Sequence, residues 1–179
     1  MSYLKQKDSY SCGAIAIANA LKWAGAKITY KDLPKIKKML VCRPYDGTSW
    51  TALHSVIISD FFKKYAKGVL LSGPKKKDID KHLLNGGGAI IVYVYPTKKF
   101  LSDQVVARYH SDGLKLLGHV FFIEKRIGRG YIVCNEYDTS VDKTSMNDEY
   151  FLRENWKKYK DDEAPNQDSR IIWLLTRKK

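Results

Sequence analysis

Residues 12–25, CGAIAIANALKWAG, narrow what this chain can become more than any other stretch. Ile15, Ile17, Ala18, Leu21 and Trp23, with alanines between them, predict a helix that is apolar around much of its girth. Gly25 is placed to stop it, because glycine readily takes the left-handed conformation that ends a last turn. A helix without a wide polar face cannot lie on a surface. The remaining elements must therefore pack around it.

Two amphipathic helices follow. TYKDLPKIKKML reads as a short one, and DGTSWTALHSVIISDFFKKYAKG as a longer one, with Thr48 or Ser49 placed to cap it and Gly68 to end it. KKKDIDKHLLNGGG reads as a brief helix stopped by Gly86, Gly87 and Gly88, and not as a phosphate loop, since no Lys-Ser/Thr pair follows the glycines. From residue 89 the pattern changes to strands. AIIVYVYP is a buried strand, HVFFIEKR and GYIVCNEY form a hairpin across residues 127–130, and RIIWLLTR is a final strand. Residues 99–118 form a polar insertion of ambiguous structure, residues 147–160 read as a helix lying across the sheet, and DDEAPNQD is a loop.

Helices in the first half and strands in the second, without βαβ alternation, predict an α+β domain: an N-terminal helical lobe (residues 1–88) on a C-terminal antiparallel sheet (residues 89–179). At 179 residues a single domain with a substantial core is expected. No stretch has the length of a signal peptide's apolar core or a membrane span, so the expectation is a protein of the cytoplasm. Cys12, Cys42 and Cys134 match neither a disulfide framework nor a zinc pattern and are expected to be free thiols. Cys134 reads as a buried strand thiol and Cys42 as much the same. The charge, 32 Lys and Arg against 19 Asp and Glu, is +13, enough to attract nucleic acid or another polyanion. Since the basic residues are dispersed and match no nucleic-acid motif, a lysine-rich solubilising surface is the favoured reading over a functional polyanion contact.

Cys12 is the thiol placed for chemistry. At a helix N-terminus it meets free backbone N–H groups and a partial positive charge, both of which favour thiolate. Acyl transfer would further require an imidazole, a group to orient it and donors for the oxyanion. His54, His82 and His110 read as surface or satisfied core histidines. His119 opens an apolar strand directly after a glycine, and the returning strand of the hairpin ends at Cys134-Asn135-Glu136.

Gln6, the Tyr-Ser-Cys12-Gly13 turn and its alanine-rich helix, the Asp-Gly-Thr-Ser stretch at 46–49, the Gly118-His119 strand and the polar residue at 135 together resemble the papain-like fold. More narrowly, they resemble the peptidases that process the double-glycine leader peptides of bacteriocins. The resemblance covers about 140 residues in the order Gln, Cys, His, Asn. It implies a cysteine peptidase that cleaves a peptide amide through a thioester without metal or organic cofactor. Cys12 would be the nucleophile, His119 the base, Asn135 the orienter, and Gln6 with the Cys12 N–H the oxyanion hole. The leader peptidases usually carry Asp-Pro where this chain has Asn135-Glu136, so Glu136 and Asp138 stay open as rival orienters. No ATP-binding cassette follows, and a stand-alone enzyme is the expectation. Two other classes remain: an inactive peptide-binding domain on the same fold, and a basic nucleic-acid-associated protein of a virion or phage whose cleft serves maturation.

Overall fold

The computed structural model describes residues 2–8, 10–44, 47–72, 76–84, 88–94, 119–128, 130–134, 144–147 and 171–178. The apolar stretch forms α1, Cys12–Trp23, in which every residue except Lys22 is buried. It ends as expected at Gly25, with φ +99°. The Ala26 N–H donates to the Leu21 carbonyl and the Gly25 N–H to Lys22, the paired hydrogen bonds of a Schellman cap.

A 3₁₀ turn, Tyr30–Asp32, leads into α2, Leu33–Met39. The end of α2 repeats the bonding of the end of α1: the Cys42 N–H donates to the Lys37 carbonyl and the Val41 N–H to Lys38. Here, however, the left-handed position is held by a β-branched residue, Val41, at φ +50°, a conformation that crowds Cβ against the carbonyl.

The long helix expected after residue 46 is two helices, α3 (Trp50–Ile57) and α4 (Asp60–Lys63), each with its own serine cap. Ser49 Oγ accepts from the Ala52 N–H at 3.2 Å and Ser59 Oγ from the Phe62 N–H at 3.4 Å. Gly68 ends neither; it lies inside a strand, β1 (Ala66–Ser72), that the sequence pattern had not revealed. α5, Lys76–Leu84, precedes the strands β2 (Gly88–Val94), β3 (His119–Ile127), β4 (Gly130–Cys134), β5 (Thr144–Asn147) and β6 (Ile171–Arg177). β5 too was not foreseen. The polar insertion and the helix and loop expected over 147–168 lie, apart from Asn147, outside the described residues.

The sheet has the order β1-β6-β2-β3-β4-β5 with every pairing antiparallel. Alternation gives it two apolar faces. Ala89, Ile91, Val120, Phe122, Trp173 and Leu175 share one core with α1, while Ile90, Val92, Phe121, Ile123 and Ile172 are buried on the face where α5 packs. His82 of α5 ties the layers together, its Nε2 lying 2.9 Å from the Leu175 carbonyl and 3.2 Å from that of Ala89. α1 thus packs against both the sheet and α2, with its N-terminal tip at the start of β3. Among the described residues no helix is long and apolar enough to cross a membrane.

Candidate active site

The N-terminal segment reaches the tip of α1 because two side chains clamp its backbone. Asn19, fully buried in the middle of α1, treats Leu4 as a strand neighbour would: its Oδ1 accepts from the Leu4 N–H at 2.8 Å and its Nδ2 donates to the Leu4 carbonyl at 3.0 Å. Four residues on, Asp8 Oδ1 accepts from the backbone N–H groups of Ser11 at 2.7 Å and Tyr10 at 3.1 Å, closing the turn into the helix. Lys37 of α2 holds the other carboxylate oxygen at 2.8 Å. Partial burial opposes ionisation of Asp8, but the hydrogen bonds from Lys37, Ser11 and Tyr10 outweigh it and hold the carboxyl below its ordinary pKa.

Gln6 sits midway between the clamps, with only 5% of its surface exposed. Its Nε2 donates to the Asp8 carbonyl at 2.6 Å. A carboxamide nitrogen carries two hydrogens, and this bond uses one of them to fix the group.

Cys12 is the first residue of α1 and is buried. Ser11 precedes it without spending its hydroxyl on a cap, and the backbone N–H groups of Gly13 and Val120 hydrogen-bond the sulfur. The glycine after Cys12 matches a close approach: a Cβ at position 13 would stand 3.2 Å from Thr48 Cβ, and Thr48 would have to give by a few tenths of an ångström to admit it. The thiolate expected from the helix terminus is not the resting state. Burial pushes the Cys12 thiol up to about 11 against the two N–H groups that favour its ionised form, since desolvating a thiolate costs more than a helix end returns.

His119 is the first residue of β3, directly before the Val120 amide that meets the sulfur, and is buried. Its ring stacks over Phe121 with centroids 6.1 Å apart, following the strand's alternation onto the face that α5 covers. The structure therefore brings the thiol and the His119–Val120 step of β3 to one place, with the Gln6 segment leading into the same helix tip. Asn135, Glu136 and Asp138 lie outside the described residues.

The other thiols, and His54 and His82, have structural roles, while His110 lies outside the described residues. Cys134 is fully buried in β4, as expected. Cys42 is not a buried strand thiol: it is half-buried after α2, with Sγ 3.4 Å from the Tyr10 carbonyl. His54 accepts from the Trp173 indole N–H at 3.2 Å. Sequence reasoning missed Asn19 and Asp8. The signal for Asn19 was a lone carboxamide in an otherwise apolar helix, and for Asp8 an Asx residue four positions before a helix start.

Among the solved structures that match the chain, two cover nearly its whole length. The peptidase domain of Streptococcus ComA, a bifunctional ABC transporter involved in a quorum-sensing pathway, superposes with a TM-score of 0.63 at 15% identity and covers 98% of each chain. The chain has the papain-like peptidase fold. A Bacillus anthracis protein described as C39-like gives a TM-score of 0.60 at 15% identity, covering 99% of this chain and 95% of its own. No protein-family profile matches the chain, and no curated protein matches it. The expected resemblance to bacteriocin-processing peptidases thus holds at the level of fold.

Proposed function

We infer that the chain is a cysteine peptidase of the C39-like fold. The reading rests on one observation above all: the only cysteine at a helix N-terminus among the described residues has its sulfur between two backbone N–H groups, at the strand end that carries His119, on a fold shared with a peptidase domain. Cys12 Sγ attacks the peptide carbonyl carbon and its proton passes to His119, which requires a ring nitrogen to face the sulfur across the end of β3. The tetrahedral oxyanion receives hydrogen bonds from Gln6 Nε2 and the Cys12 N–H. Collapse breaks the C–N bond, the imidazolium gives its proton to the leaving amine, and water hydrolyses the thioester. Asn135 is assigned to orienting the imidazole. Because the resting thiol is neutral, proton removal has to accompany attack.

The test is an acid quench of the protein with a peptide library, followed by mass spectrometry of the Cys12 peptide. An acyl adduct on Cys12, hydrolysis abolished in Cys12→Ala, and a loss on the order of 10²-fold in Gln6→Ala are expected. Hydrolysis that survives Cys12→Ala would overturn the reading. The raised thiol pKa favours a second one, a peptide-binding domain without turnover, which peptide binding without any adduct would establish. A polyanion partner has no support in the comparisons.

A further inference from the structure

On the α2 side of α1, one turn from Cys12, lies a cavity of about 250 Å³. Its floor is apolar: Ile15, the residue one turn beyond the thiol, and Leu33 at the start of α2. Its walls are basic. Lys5 and Lys7, on either side of Gln6 in the sequence, line it together with Lys37 of α2. Asp8 is the one carboxylate among the described lining residues, and it is already paired with Lys37 at 2.8 Å, so this lining carries a net positive charge.

The walls are also held in place before any ligand arrives. The Tyr30 hydroxyl accepts from the Lys5 N–H at 2.9 Å and donates to the Lys5 carbonyl at 3.1 Å, fixing the 3₁₀ turn to the N-terminal segment. Lys7 Nζ stands 4.3 Å from the Tyr30 ring centroid, and Lys37 Nζ 4.7 Å from that of Tyr10. A pocket built this way spends little conformational entropy on binding. It is smaller than typical drug-sized sites and in scale with one or two side chains. Ser11 and Ile15, one residue before and three after Cys12, line the pocket, and Cys12 meets Val120 of β3, so a peptide bound at Cys12 has this pocket within reach of a side chain.

We propose that the pocket is a specificity subsite that takes a carboxylate-bearing side chain of the peptide substrate, its methylenes on Ile15 and Leu33 and its charge among Lys5, Lys7 and Lys37. The proposal rests on the peptidase reading for what crosses Cys12, but not for what the pocket binds. Replacing a charged partner by its neutral amide at such a site changes kcat/KM by about tenfold or more. The dependence should weaken with salt, because the rim is open to solvent.

The experiment uses a decapeptide library in which each position in turn carries Glu, Gln or Lys. Cleavage is followed with the wild-type chain and with Lys5→Glu/Lys7→Glu, and binding of the same immobilised peptides with Cys12→Ala. At one position Glu should exceed Gln at least tenfold, and the charge-reversed variant should prefer Lys there. A general disturbance of Gln6 would lower all peptides alike and could not invert the preference. Cleavage without an acidic preference overturns the subsite and leaves the peptidase standing. Lysine-dependent binding of Glu peptides to Cys12→Ala, with no cleavage by the wild type, overturns the peptidase and leaves the subsite standing. Neither binding nor cleavage overturns both.

Discussion

Asn19→Ala should be among the most damaging single changes outside the large apolar side chains. The Asn19 carboxamide is fully buried and makes both of its bonds to one residue, accepting from the Leu4 N–H and donating to the Leu4 carbonyl. Truncation leaves a backbone donor and a backbone acceptor together in the core. An unsatisfied buried group of this kind costs about 1–3 kcal/mol, so with partial relaxation the pair amounts to about 3 kcal/mol. For a domain of this size that lowers Tm by roughly 6–12 °C. Urea unfolding followed by tryptophan fluorescence gives the free-energy difference directly. Asn19→Leu separates the causes: it refills the volume but restores neither bond, so it should remain at least about 2 kcal/mol below wild type. Recovery of wild-type stability by Asn19→Leu, or a loss under about 0.5 kcal/mol in Asn19→Ala, would refute the clamp.

Two other outcomes follow from the same turn and from the end of α2. Because the folded Asp8 carboxyl titrates below its unfolded value, its contribution is complete above the unfolded pKa of about 4 and is lost as pH falls through the lowered folded value. Urea midpoints measured downward from about pH 5 should therefore fall more steeply in wild type than in Asp8→Ala, and parallel curves would remove Asp8 as a clamp. Val41→Gly relieves a β-branched residue at φ +50°; relief of about 1–2 kcal/mol, less the greater freedom of glycine when unfolded, leaves a net gain of about 0.5–1 kcal/mol. Val41 is 62% exposed, so little burial is lost, and a fall in the thermal midpoint would contradict the assignment of strain.

What was legible in the sequence was local. The girth of α1, its stop at Gly25, the position of His119 at a strand start and the β3–β4 hairpin follow from periodicity and turn chemistry over a few residues, and all are present. β1 was not legible because its short apolar run directly follows a helical pattern; what makes it a strand is pairing with β6, with Ala66 opposite Arg177. Asn19 reads as an imperfection in an apolar helix until Leu4 is laid beside it. The state of the Cys12 thiol was misjudged for the same reason. The helix terminus can be read from the chain, but the degree of burial that opposes it is set by elements distant in sequence. The orienter of the imidazole, whether Asn135, Glu136 or Asp138, lies outside the described residues.

The strand order carries a consequence for synthesis. β6 is the last strand in the chain, yet it lies between β1 and β2 and hydrogen-bonds to both. Until residues 171–177 emerge from the ribosome, a nascent chain can complete α1 and the β2–β3–β4 portion but has an empty lane in the sheet, and β1 has no neighbour. The pairings that fill the lane are non-local and close late. Trp173, fully buried beside Ile91 and donating to His54, is what then locks α3 to the sheet. The helix that carries Cys12 is thus made before the strand that seals the core around it.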